Sequence, residues 1–219
     1  MLPPSRTRFL GMVIAALFVT GLVVQPDLAS ATQISATATT FSGASLAVTA
    51  TIDDTSDPGN LVITLVVEEG GKTGDLRGFY ANITDEQLLP GLSVSGPEVT
   101  SSIFDANNVI RLSRGNDLIA DGTPCLCDFG VEFGVEGIET GDDFQSVTFV
   151  LSHISKDLSL SLFEEQTFGV RATSVGPATG LREASSKLKG QFPVVPEPST
   201  AILMLLGLTG LSAAGSRRH

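Results

Sequence analysis

The run Leu61-Val62-Ile63-Thr64-Leu65-Val66-Val67, preceded by Leu46-Ala47-Val48-Thr49-Ala50-Thr51-Ile52, decides the fold. Leu61, Ile63, Leu65 and Val67 occupy one face of the first segment, with Val62, Thr64 and Val66 opposite. In the second, Leu46, Val48, Ala50 and Ile52 alternate with Ala47, Thr49 and Thr51. Successive side chains of a strand point to opposite sides, so a period of two predicts a strand with one buried face. The same alternation returns in Val147, Phe149 and Leu151, and in Phe168, Val170 and Ala172. It also predicts a strand over 158–162, where Leu158, Leu160 and Leu162 are separated by Ser159 and Ser161. A four-residue echo, Phe129-Gly130-Val131-Glu132 and Phe133-Gly134-Val135-Glu136, reads as one more strand, with Phe129, Val131, Phe133 and Val135 on its apolar side. Turn clusters punctuate the chain at 53–60, 69–72 and 141–143. One helical turn is predicted near Thr84, with Thr84 as its cap, Gln87 at the reciprocal position and Pro90 ending it. The fold class is therefore all-β, a single antiparallel β-sandwich-like domain.

Two hydrophobic segments flank that domain. Arg6 and Arg8 precede an apolar core from Phe9 to Val24, and Ala29-Ser30-Ala31 supplies a small-x-small cleavage site. Residues 1–31 are thus expected to be a signal peptide, cleaved after Ala31. At the other end, Pro196-Glu197-Pro198 is followed by an uncharged run from Thr200 to Ala214 and then by Arg217 and Arg218. Fifteen helical residues span roughly 22 Å, short of the roughly 30 Å hydrocarbon core. Thinning of the bilayer and snorkelling arginines would accommodate a membrane segment over 200–215. Arg217 and Arg218 are expected to act as a cytoplasmic stop, leaving the Pro-Glu-Pro motif on the outer side. The expected organisation is 1–31 leader, 32–193 β domain, 194–219 sorting tail with a short hydrophobic helix.

Motif, gap, short span and basic tip resemble the PEP-CTERM sorting domain of exported proteins from Gram-negative-type bacteria. The resemblance covers about 24 residues from Val194 onward, and less sharply the β-rich body with Gly74-Asp75-Leu76-Arg77-Gly78-Phe79 and Asp128-Phe129-Gly130-Val131-Glu132. It implies that Pro196, Glu197 and Pro198 are read by a partner, exosortase, which carries the catalysis. It also implies passage through an inner-membrane-anchored state to the cell envelope or the outside. Proteins with such tails are associated with exopolysaccharide and biofilm material, so exopolysaccharide is a further expected partner. A structural or adhesive role follows; the alternative is a glycan- or calcium-binding surface module.

Charge narrows the classes. The full chain has a formal net charge of −11. Without Arg6, Arg8, Asp27, Glu197, Arg217 and Arg218, 9 basic residues face 22 acidic ones, a net charge of −13. Such a surface repels nucleic acid, so no nucleic-acid partner is expected. No catalytic residue is assigned. His153 is the one histidine of the body, and no Gly-x-Ser-x-Gly elbow is present to use it. No cofactor is expected, with calcium as the candidate exception: Asp53, Asp54 and Asp57 crowd one loop, and Asp142 and Asp143 end an acidic stretch that includes Asp128, Glu132, Glu136 and Glu139. Flexible acidic loops supply the oxygens a hard cation takes. Neither segment has the EF-hand pattern. Cys125 and Cys127 are two residues apart, and a local disulfide, an intermolecular bridge and free thiols all remain compatible with that spacing.

Overall fold

A computed structural model describes residues 32–120, 123–135 and 142–195. The expected signal peptide, Pro196-Glu197-Pro198, the expected membrane segment with Arg217 and Arg218, and Glu136 and Glu139 lie outside the described residues. Fourteen strands are described. They are β1 (Gln33–Gly43), β2 (Ala47–Asp53), β3 (Leu61–Val67), β4 (Lys72–Ala81), β5 (Leu92–Ser95), β6 (Val99–Val109) and β7 (Arg111–Ser113). The series continues with β8 (Asn116–Asp117), β9 (Ile119–Ala120), β10 (Thr123–Pro124), β11 (Cys127–Phe133), β12 (Ser146–His153), β13 (Thr167–Pro177) and β14 (Ala184–Gln191).

Ten of them form one antiparallel sheet in the order β5-β12-β3-β2-β1-β14-β13-β4-β11-β6. The all-β expectation holds, and the sheet curls until it is nearly barrel-shaped. Its two edge strands, β5 and β6, are consecutive in the chain and joined by a short turn in which the Val99 amide donates to the Gly96 carbonyl at 3.3 Å. The curl brings distant strands face to face. Phe79 of β4 and Phe149 of β12 are far apart in the sheet order, yet their ring centroids lie 5.7 Å apart across the interior. Phe79 also meets Phe129 and Phe168 at 6.0 Å, separations at which aromatic pairs attract beyond their area burial.

The alternation seen in the sequence maps directly onto this architecture. Val48, Ala50, Ile52, Leu61, Ile63, Leu65, Val147, Phe149, Leu151, Phe168, Val170 and Ala172 all face one continuous core. The opposite faces of these strands form hydroxyl ladders: Ser35 with Thr51 at 2.8 Å, Thr37 with Thr49 at 2.9 Å, Thr64 with Thr148 at 3.0 Å. Cross-strand hydroxyl pairs of this kind add modestly to sheet stability.

Three local expectations are corrected. Residues 158–162 are not a strand: Leu160–Phe163 is a 3-10 turn, closed by the Leu162 amide on the Ser159 carbonyl at 3.1 Å and the Glu164 amide on Ser161 at 3.3 Å. Its Leu160, Leu162 and Phe163 are buried in the core with Leu158. The i-to-i+3 bonds are made within the segment, so the leucines reach the core without a neighbouring strand. The predicted turn near Thr84 is a 3-10 turn over Glu86–Gly91 that contains Pro90, and its cap is Asp85, whose carboxylate accepts the Gln87 amide at 3.1 Å. Thr84 instead donates its hydroxyl to the Ser161 carbonyl. Finally, the strand of the Phe-Gly-Val-Glu echo ends at Phe133, because Gly134 adopts φ +60°; Val135 is then 69% exposed rather than on the core side.

Candidate functional site

The outer face of the barrel carries a flap that the strand pattern does not announce. The segment after β6 folds back as the β7–β8 hairpin, turning at Arg114-Gly115, with Gly115 at φ +79°. It lies on β4, β11 and β13 and closes a second apolar cluster of Tyr80, Val109, Leu118 and Cys127, flanked by Leu112 and Cys125. Glycines in the strands beneath make this close approach possible. A Cβ on Gly78 would stand 2.5 Å from Asn116 Oδ1, one on Gly130 2.7 Å from Leu112 Cδ2, and one on Gly169 2.2 Å from Leu118 Cδ1. Isolated glycines inside strands often mark such an approach.

Asn116 fastens the flap. Its Nδ2 donates to the Arg77 carbonyl at 2.8 Å and to Glu132 Oε1 at 3.2 Å. The Tyr80 hydroxyl donates to the Asn116 carbonyl at 2.8 Å and to its Oδ1 at 3.2 Å. Burial pushes the Tyr80 phenol well above its ordinary range, so it remains a donor at any physiological pH. Beside it, Lys187 Nζ bonds Asp117 Oδ1 at 2.6 Å and also the Ile119 carbonyl. Burial alone would raise Asp117, but the Lys187 hydrogen bond, the Ile119 amide and the charges of Lys187 and Arg111 outweigh it and hold the carboxyl below its usual value.

Between flap and sheet lies a polar cleft of about 230 Å³, lined on the sheet side by Asp75, Arg77, Glu132 and Arg171 and on the flap side by Ser113 and Arg114. Arg77 is only 6% exposed; its Nη1 lies 3.4 Å from Asp142 Oδ2 and 3.8 Å from Asp75 Oδ2. Burial pushes the Asp75 carboxyl up to about 6, against the opposing pull of the Phe144 amide and the Arg77 charge. Burial also draws the Arg171 guanidinium below its ordinary value. Ser174, at the rim, sits in the left-handed region at φ +48° where β13 bulges against β4. Backbone strain of this kind concentrates at ligand clamps and functional sites.

The acidic residues singled out in the sequence fall into two separate places. Asp53 closes a turn: its Oδ1 accepts the Ser56 amide at 2.7 Å, the Thr55 amide at 2.8 Å and the Thr55 hydroxyl at 3.0 Å. Those bonds hold its carboxyl below the usual range, the Ser56 amide foremost. Asp54 and Asp57 share that loop; the Asp57 carbonyl accepts the Asn60 amide at 2.9 Å. Asp142 accepts from Arg77 and from the Val135 amide at 3.0 Å, and Asp143 is paired with Arg182. Asp53 pairs with Val62 at the start of β3, whereas Ser146, just after Asp143, pairs with Val66 near its end. About 13 Å of strand therefore separates the two groups. Among the described residues no three His, Cys, Asp or Glu side chains gather closely enough to hold a metal ion.

Two other acids of the second stretch have internal work. Asp128 is 2% exposed and accepts the Ile83 amide at 2.9 Å and the Asn107 amide at 2.8 Å. Glu132 belongs to the cleft. Cys125 and Cys127 form a disulfide with Cα atoms 5.7 Å apart, which selects the local bridge among the states the spacing left open. His153 ends β12, accepts the Ser155 amide at Nδ1 and packs its ring onto Gly91. None of the cleft residues Arg77, Arg114, Asn116 and Arg171 was singled out as a site residue in the sequence, and the strand glycines opposite them were the signal that could have located the flap.

The β ladder runs through Gln191, the Phe192 amide bonds the Gln166 carbonyl at 3.0 Å, and the Val195 amide bonds Glu164 Oε1 at 3.1 Å. Among the described residues no helix is long and apolar enough to cross a membrane. No curated protein and no solved structure matches the chain. A family model for the PEP-CTERM protein-sorting motif matches residues 194–218, beginning where the Val195 contact ends the folded body. The chain therefore bears the PEP-CTERM sorting signal that exosortase processes, and it is an exported protein directed to the cell envelope.

Proposed function

We propose that the β domain is a non-catalytic structural or adhesive component of the bacterial cell surface or extracellular matrix, associated with exopolysaccharide and delivered by exosortase. The observation that supports this reading most is the junction at 192–195. Phe192 is 2% exposed in the core and Val195 is tied to Glu164, so the sorting motif starts directly at the end of a finished barrel. Before processing, the hydrophobic segment tethers the domain to the inner membrane; afterwards the barrel is the delivered product.

The test is the intact mass of the protein recovered from the envelope and medium of its native host, with and without exosortase. A chain that starts at Thr32 and ends near Pro196–Ser199, with or without an adduct, is the expected product in the exosortase-bearing strain. Its co-elution with the exopolysaccharide fraction is the second expected result. A chain still carrying His219 in that strain, or identical products in both strains, removes the sorting step. A correctly processed chain that never co-elutes with the polymer removes the matrix role.

A further inference from the structure

The cleft under the flap has an imbalance of donors and acceptors that goes beyond the sorting reading and does not rest on it. Its two carboxylates are consumed by the fold. Asp75 Oδ1 accepts the Phe144 amide at 3.0 Å and Oδ2 the Thr173 hydroxyl at 3.4 Å. Glu132 Oε1 accepts from Ser113 and Asn116, and Oε2 accepts the Ser101 hydroxyl at 3.0 Å. The cations are only partly engaged by the described residues. Arg77 reaches both of its carboxylate partners through Nη1. Arg171 donates Nε to the Gly115 carbonyl at 3.1 Å and Nη1 to the Ala172 and Ser186 carbonyls at 3.3 and 3.2 Å, which leaves Nη2. Arg114, exposed at the hairpin tip, forms no ion pair with the described residues.

Three guanidinium groups, each with N–H groups that bond no other described residue, thus line one cleft of a chain whose net charge is −11. A guanidinium N–H at the cleft surface can exchange water for a carboxylate in a charge-assisted hydrogen bond. The planar fork of a guanidinium matches a planar carboxylate in two parallel hydrogen bonds. Among the described residues no aromatic or aliphatic side chain lines the cleft, while Ser113, Thr173 and Ser174 add hydroxyls. At about 230 Å³ the space is smaller than the roughly 300–1,000 Å³ of drug-sized sites, so the ligand is small.

We propose that this cleft binds the carboxylate of a small hydroxylated acid, of the size of one hexuronate sugar, with Arg77, Arg114 and Arg171 holding the anion. The strained Ser174 and the hydroxyls of Ser113 and Thr173 face the ligand's own hydroxyl groups. The acid enters free or as one residue of a longer acidic chain, since the carboxylate and ring hydroxyls are common to both.

Titration calorimetry on the full chain in detergent micelles tests this with glucuronate, glucose and sulfate, followed by a glucuronate oligomer. Glucuronate is expected to bind saturably, with glucose and sulfate weaker by about tenfold or more, a difference of about 1.4 kcal/mol. Because Arg114 is exposed, Arg114→Ser should melt like the wild type yet lose about tenfold or more in glucuronate affinity. Tighter binding of the oligomer assigns the polymer as the source, and equal or weaker binding assigns the free acid. Absence of saturable glucuronate binding overturns the proposal. So does equal binding of glucose or sulfate, or an Arg114→Ser variant that binds as well as the wild type.

Discussion

Replacing Gly78 by alanine should destabilise the wild-type protein yet be harmless once Asn116 has been shortened. The added Cβ would sit 2.5 Å from Asn116 Oδ1, 3.1 Å from Nδ2 and 3.2 Å from Cγ. Asn116 cannot swing away cheaply. It is 5% exposed and bonded to the Arg77 carbonyl, to Glu132 and to the Tyr80 hydroxyl. Overpacking of this kind costs about 1–3 kcal/mol, and alanine recovers about 0.5–1 kcal/mol of the backbone entropy that glycine loses in a strand. Gly78→Ala should therefore cost about 1–2 kcal/mol net, lowering Tm by about 3–6 °C for a domain of this size. Asn116→Ala alone should cost about 2–4 kcal/mol, because it orphans the buried Arg77 carbonyl and removes three hydrogen bonds. In that background the new Cβ meets no side chain of residue 116 beyond its own Cβ. Gly78→Ala should then be neutral or stabilising by about 0.5 kcal/mol. The double-mutant cycle should show a favourable coupling of about 1–2.5 kcal/mol. Urea melts followed by far-UV circular dichroism suit a chain that contains no tryptophan. Additivity within about 0.5 kcal/mol would refute the idea that Asn116 fills the space over Gly78.

Two further outcomes concern charge. The folded protein holds a proton on Asp75 up to about pH 6, above the ordinary 3.8, so the folded state binds that proton more tightly than the unfolded one. The resulting stability is fully present below about pH 4 and is lost as pH rises through 6. Wild-type Tm should therefore fall relative to Asp75→Asn between pH 4 and 7, and parallel curves would show that burial does not govern this carboxyl. Asp53, Asp142 and Asp143 are engaged by local amides or by Arg77 and Arg182. Millimolar calcium, compared with chelator, should accordingly leave Tm unchanged, whereas a rise would reveal a cation bound to the folded state.

Much of the barrel was legible because strand alternation is a local property. Val48, Ile52, Ile63, Leu65, Phe149 and Val170 face inward as their spacing predicts, since a strand that buries one face must alternate. The same rule misread Leu158–Leu162, where bonds within the segment close a 3-10 turn and reach the core another way. It also missed β4, whose residues from Gly74 to Ala81 are buried on both faces. Alternation vanishes when an outer face is covered: Tyr80 lies under the flap, and Asp75 and Arg77 meet the Phe144 amide and Asp142.

From the sequence alone came the all-β class and the sorting signal, because both are written in short-range order: side-chain periodicity for the one, a motif and its spacing for the other. Tertiary structure alone decided the flap, the cleft and the partners of its charges. Arg77 meets Asp142 at a separation of 65 residues, and Asn116 meets the Arg77 carbonyl at 39. Which residues meet at such separations is set by the curl of the sheet and the register of its strands. No local pattern encodes those two quantities, although Gly78, Gly130 and Gly169 mark where the second layer would settle.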